Sequence, residues 1–236
     1  MVDFLMKNGI KNLYLVIFLL CVFSCVAVNF TFIKSVGKDV SPKPTLTIVI
    51  DAGHGGIDIG AEGVSTGVKE SELNLKIANE LKKLFDESGY ITVMTRTDDN
   101  GLYDTTEPGF KKRDLKKRVE IAKSNNADIF ISVHLNIYAS GSRRGAQVFF
   151  KKSNEKAKKL ADNIQLELNL LKESKRMYDA IIGDYYLLNS LDIMAVIVEC
   201  GFLSNYEEEQ LLLKSNYRKS LAKAIYLGTL KTLVNA

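Results

Sequence analysis

Histidine, cysteine and proline are scarce in this 236-residue chain, at two, three and three copies. Cys21 and Cys25 fall in an apolar N-terminal stretch, so Cys200 stands alone in the remainder and no disulfide framework can carry the fold. Stability has to come from a hydrophobic core, which a chain of this length can build. Pro42 and Pro44 sit in a polar linker, residues 34–44, that separates the front of the chain from everything after it. Charge of one sign is also lacking: Lys and Arg number 32 against 28 Asp and Glu, and no basic stripe interleaved with aromatics occurs. Nucleic acid is therefore not expected as a partner. No Gly-x-Gly-x-x-Gly and no Gly-rich turn running into Lys-Ser or Lys-Thr is present, which argues against a phosphate cradle. Internal repeats and low-complexity segments are absent too.

The front carries Lys7 and Lys11 followed by an uncharged run over residues 13–28, and its apolar character resumes through Phe30, Phe32 and Ile33. About twenty such residues span a bilayer. Residues 1–33 therefore read as an uncleaved signal anchor, with a signal peptide cut near Ala27 as the alternative; large Phe23 argues against lipidation at Cys25. Either way the bulk of the chain is exported to the outer side of the membrane, and as an uncleaved anchor the segment also holds it at the membrane.

From residue 45 onward three short β-branched runs stand out. Thr47 to Asp51 leads into Ala-Gly-His54, Asp128 to Val133 into His134, and Ala195 to Val198 into Glu199. Such runs read as buried strands of a parallel sheet. Between them, Leu73, Ile77, Leu81 and Leu84 give helical spacing over residues 70–88, stopped by Gly89. Residues 90–95 read as a strand, 114–124 as a helix, and 98–113 as a long polar connection. The run 146–150 follows His134 too closely for a helical crossover and should be antiparallel or at an edge. Residues 153–171, capped by Ser153 or Asn154, and 217–233 read as further helices. The expectation is a single α/β domain over residues 45–236, with a twisted, mostly parallel but mixed sheet of about six strands covered by helices on both faces.

In such sheets the ligand crevice lies at the carboxyl ends of the strands. Both histidines and Glu199 fall there, which points to a hydrolytic metal site. Catalytic Zn²⁺ takes three protein ligands and keeps a position open. His54 and His134 supply two; Glu70, opening the first helix, leads for the third, with Glu72 as competitor. Glu199, not ligating, is then placed to move a proton. The bland alternatives are a helix N-terminal acid for Glu70 and a carboxylate satisfied by backbone amides or Arg96 for Glu199. A Ser132, His54 and Asp51 triad lacks a nucleophile elbow. Cys200 reads better as a small buried residue than as a nucleophile.

The blocks Asp51-Ala-Gly-His54-Gly-Gly-Ile-Asp58, Gly67-Val-Lys-Glu70, Thr95-Arg96-Thr-Asp98, Ser132-Val-His134-Leu-Asn136 and Val198-Glu199-Cys-Gly-Phe-Leu-Ser-Asn205 resemble, in order, those of the zinc-dependent N-acetylmuramoyl-L-alanine amidases. The resemblance implies zinc held by His54, Glu70 and His134, Glu199 as the catalytic carboxylate and Asn136 as a substrate contact. It implies hydrolysis of the amide between the lactyl group of N-acetylmuramic acid and L-alanine in peptidoglycan. Arg96 and Arg118 match recurrent positions and are expected to be structural. The chain looks most like the spore-cortex amidases of germination, which make muramic-δ-lactam precursors. Leu135 and the pair Ile137-Tyr138 depart from the usual pattern and give a bulkier rim. Rival readings are a zinc peptidase gripping a terminal carboxylate through Arg143 or Arg144, and a non-catalytic wall-binding scaffold on the same fold. The loops 98–113 and 172–184 are candidate sites for an activating protein partner.

Overall fold

The three β-branched runs form the middle of one sheet. In the computed structural model, which describes residues 46–174 and 176–234, β1 (Thr47–Ala52), β3 (Ile129–Asn136) and β6 (Met194–Phe202) lie side by side and parallel. With β2 (Ile91–Met94), β4 (Gln147–Phe150) and β5 (Ile181–Ile182) they make a six-stranded sheet in the order β2-β1-β3-β6-β4-β5. β2 is parallel to β1, β4 antiparallel to β6, and β5 parallel to β4. The short link from β3 to β4 allows no crossover helix, and the reversal follows. β4 is not at the edge, however, because β5 pairs along its outer side.

The strands are apolar on both sides because both faces are covered. Alternate residues, among them Ile48, Ile50, Ile131 and Val198, face the larger core under α1 (Glu70–Glu87), α3 (Glu155–Asn169) and α6 (Ser215–Val234). Val49, Phe130, Ala195 and Ile197 face a smaller core under α2 (Phe110–Ser124) and α4 (Tyr186–Asn189). A further short helix, α5 (Tyr206–Leu212), follows β6. α1 buries Leu73, Ile77, Leu81 and Phe85, one residue on from the expected Leu84, and ends before Gly89 at φ +79°. Each such side chain contributes about 1.5–3 kcal/mol, and truncating Leu81 to Ala would cost about 2–5 kcal/mol. Of the two expected caps of α3, Asn154 serves, its side chain accepting from the Ala157 N–H at 2.9 Å.

Some boundaries differ from the sequence expectation. α2 begins at Phe110 rather than Asp114, since Gly109 at φ +85° turns the chain into the helix one turn early. β3 and β6 also run past His134 and Glu199, with a register irregularity between His134 and Asn136. Both residues therefore lie within strands, and alternation sets their direction. The expected anchor, 1–33, and the linker, 34–44, lie outside the described residues. Among the described residues no helix is long and apolar enough to cross a membrane.

Candidate metal centre

Strand alternation carries Ser132 and His134 on β3, and Ile197 and Glu199 on β6, to the α2/α4 face of the sheet near its carboxyl end. His134 and Glu199 are register neighbours on adjacent parallel strands. His54 arrives from the turn after β1, and Glu70 from the first position of α1. His54 Nε2 and His134 Nδ1 each lie 3.2 Å from Glu70 Oε1. One donor atom from each of the three residues falls within 4.8 Å of the others. Two imidazole nitrogens and a carboxylate oxygen are a donor set that suits Zn²⁺.

Each donor is held by its surroundings. His54 Nδ1 meets Asp58 Oδ2 at 3.0 Å, which leaves Nε2 to face Glu70. His54 itself has φ +63°, an uncommon value for a non-glycine residue. Arg118 holds that turn, donating from Nη2 to the His54 carbonyl at 2.7 Å and from Nη1 to Ala52 O at 2.8 Å. Arg96 adds bonds to the carbonyls of Ala52, Gly53 and Ser71. Below the turn Asp51 is fully buried and accepts from Arg118, Ser132 and Thr95 at 2.5–2.6 Å. Glu70 Oε1 accepts from Asn74 Nδ2 and the Leu135 N–H, and Oε2 accepts from the Ala61 N–H. Glu72 is half-buried and pairs with Lys76 one turn along, so of the two glutamates Glu70 joins the histidines.

The electrostatics follow from burial and these contacts. Burial alone would raise the Glu70 carboxyl, but the two histidines outweigh it and hold it well below the usual carboxylate range. Burial lowers His54, yet Asp58 and Glu70 push it up to about 9. Asp58, raised by burial, is drawn down to about 2 by His54 and Lys111. Glu199 behaves oppositely. Burial, with the charge of Glu70, pushes it up to about 7 against the pull of the histidines. Its Oε2 is buried with no hydrogen-bond partner among the described residues. The alternative of a Glu199 satisfied by backbone or Arg96 is thereby overturned. A cavity of about 280 Å³ opens beside it, walled by Leu115, Tyr185, Tyr186 and Leu187.

The remaining candidates separate cleanly. Ser132 and Asp51 bond each other, while His54 faces Asp58 and Glu70, so these three residues form no triad. Cys200 is fully buried in the larger core, and burial pushes its thiol far up, away from reactivity. Asn136 Oδ1 accepts from the Ile137 N–H at 2.8 Å. Arg143 stacks on Tyr138 at 4.4 Å and Arg144 pairs with Glu207. Asp58 and Asn74 were missed from sequence. A carboxylate four residues after His54, and an amide one helical turn after Glu70, were the available signals.

The family model described as N-acetylmuramoyl-L-alanine amidase matches residues 48–231. The germination-specific N-acetylmuramoyl-L-alanine amidase of Bacillus subtilis (strain 168) is 34% identical over 187 residues, covering 78% of each chain. The CwlD amidase from Clostridioides difficile, solved in complex with the GerS lipoprotein, superposes with TM-score 0.78 at 38% identity, covering 81% of this chain and all of that one. An N-acetylmuramoyl-L-alanine amidase from Clostridium difficile 630 gives TM-score 0.71 at 30% identity over 80% of this chain and 97% of its own. A match along nearly the whole described fold, joined to relatives at this identity, makes the chain a member of the N-acetylmuramoyl-L-alanine amidase family.

Proposed function

We propose that this protein is a zinc-dependent amidase that cuts spore-cortex peptidoglycan between the lactyl group of N-acetylmuramic acid and L-alanine. The observation that carries it is a half-buried Glu199 whose Oε2 is buried without a hydrogen-bond partner among the described residues, beside three converging donors, His54, Glu70 and His134. Zinc, when bound, supplies Lewis acidity, polarising a carbonyl and lowering the pKa of water toward about 7. Glu199 Oε2 accepts a proton from the attacking water and passes it to the alanine nitrogen as the C–N bond breaks, leaving a lactyl carboxylate and a free amine. With no metal bound, burial already pushes this carboxyl up to about 7, and a carboxyl raised from its ordinary range is the kind of group that carries a proton near neutral pH. Leu115, Tyr185 and Leu187 give the pocket beside Glu199 a largely apolar wall. Asn136, at the end of β3, contacts substrate.

The cortex assignment, with muramic-δ-lactam formation in germination, rests on the similarity to the germination-specific relative. Residues 1–33 anchor the exported domain at the membrane. A protein partner is supported by the lipoprotein complex of the C. difficile neighbour, and the segments 98–113 and 172–184 are the contacts proposed for it.

The test measures zinc content and product masses after the full chain meets spore or vegetative peptidoglycan, with His134→Ala as control. Near-stoichiometric zinc and free stems beginning at L-alanine are expected. Fragments cut within the stem would make the protein a peptidase, and absence of both zinc and cleavage would leave a binding scaffold.

A further inference from the structure

A second cavity, of about 560 Å³, lies where the loops after β3 and β6 meet, lined by Ser142, Arg144, Arg176, Asn205, Tyr206 and Glu207 among others. Two guanidinium groups stand there against one carboxylate. Arg144 pairs with Glu207 and also lies near the Glu208 carboxylate, whereas Arg176 stands exposed on the lining. The backbone that presents Arg144 is braced on several sides. The Arg144 carbonyl accepts from the Tyr178 hydroxyl at 2.9 Å. The next N–H, of Gly145, donates to Glu208 Oε1 at 2.7 Å, while Glu208 Oε2 accepts from the Phe202 N–H at 2.8 Å. Gly145 has φ +93°, and a Cβ there would sit 3.0 Å from the Tyr178 ring. Across the cavity, Asn205 Nδ2 donates to Gly141 O at 2.8 Å. An arginine on so fixed a backbone is positioned to meet a planar anion.

Its place relative to the reaction follows from the register. β4 begins at Gln147, which pairs directly with Glu199. Arg144 stands three residues earlier, within roughly 10 Å along the chain at about 3.4 Å per residue. An extended peptide covers that span in about three residues. On the glycan side of the scissile amide the substrate offers hydroxyls and acetamides, whereas on the peptide side it offers free carboxylates.

We propose that the Arg144 and Arg176 cavity is a subsite for a free carboxylate of the peptide stem, two to four residues beyond the scissile amide. The subsite rests on the amidase function proposed above and adds to it a means of choosing substrates by the state of the stem. Amidation of the stem would weaken binding, and Glu207, which occupies Arg144 in the free protein, competes with the ligand.

The test uses the full chain carrying Glu199→Gln, titrated by calorimetry with a muramoyl-peptide whose stem carboxylates are free and with the same molecule amidated. The free form should bind about tenfold more tightly, the scale of a charge-assisted bond. That ratio should fall to near one on adding Arg144→Gln and Arg176→Gln. It should rise on adding Glu207→Gln instead, a change of opposite sign that a misfolded variant would not give. Equal or absent binding of the two ligands, or a ratio that the double arginine substitution leaves unchanged, overturns the subsite. Whether the wild-type chain releases stems from peptidoglycan is read separately, so either proposal can fail alone.

Discussion

Gly53→Ala tests whether the histidine geometry is as tight as the packing around it. Gly53 does not have a left-handed φ, so an alanine there meets no backbone penalty; what it lacks is space. An added Cβ would lie 2.2 Å from His134 Cε1, 2.4 Å from Nε2 and 2.6 Å from Nδ1. Ordinary contact begins at 3.4 Å, so the ring must recede by 3.4 − 2.2 = 1.2 Å. Metal–donor distances tolerate only about 0.2 Å, and the displacement exceeds that several-fold. Zinc affinity should drop about 10- to 100-fold, the scale seen when a ligand's support is lost. Overpacking of this kind costs about 1–3 kcal/mol, a fall in melting temperature of about 2–12 °C for a domain of this size. Competition against a chromophoric chelator reads the first effect, and thermal unfolding followed by circular dichroism in EDTA reads the second. A Gly53→Ala protein that holds zinc as tightly as the wild type would refute the placement of His134.

Three further outcomes are expected. Glu199→Gln should keep its zinc and lose about 10²- to 10⁴-fold in turnover; near wild-type release of L-alanine-terminated stems would remove Glu199 from the chemistry. Asp51 is raised by burial but drawn lower still by Arg118, Ser132 and Thr95, so its folded pKa is depressed. Its contribution is complete above the unfolded value of about 3.9 and vanishes as pH falls through the depressed one. Asp51→Asn should therefore cost about 3–5 kcal/mol at pH 7 by leaving Arg118 buried with less compensation. It should also flatten the acid limb of a melting-temperature profile, and an unchanged limb would count against the network. Without metal, burial lowers His54 while Asp58 and Glu70 raise it further, to about 9. That raised value stabilises the metal-free fold below the unfolded pKa of about 6.5, and the gain is lost as pH rises through about 9. Zinc uptake at pH 7 should then expel one proton, seen by calorimetry in buffers of different ionisation enthalpy, with affinity climbing toward pH 9. Flat affinity across that window would mean a neutral His54.

What could be seen in advance was set by local pattern. The runs ending at His54, His134 and Glu199 announced themselves because strands buried on both faces leave continuous apolar sequence. Their register was hidden: His134 and Glu199 lie inside β3 and β6, and the chain alone does not say where pairing stops. Glu70 against Glu72 was a matter of helix phase, decided by bonds from Ala61 and Leu135 that come from distant segments. The roles of Arg96 and Arg118 as clamps on backbone carbonyls need the folded turn to become visible. α4 and β5, at four and two residues, are too short to leave a periodicity. α5 did carry a signal, Asn205 as its N-cap, with Asn205 Oδ1 accepting from the Glu208 N–H at 3.1 Å.

The sheet keeps its larger core under α1, α3 and α6 and turns His134 and Glu199 to the opposite face. Side chains shaping the pocket, such as Leu115, Tyr185 and Tyr186, belong to the smaller cover on that face, and none of the three is fully buried. Substitutions among them can be sampled with small loss of integrity, whereas a new bond preference on a face that also supplied the main core would arise only with collapse. The architecture thus separates heritable variation in what is cut from the requirement to remain folded, and lineages using this scaffold can drift in specificity while the scaffold stays fixed.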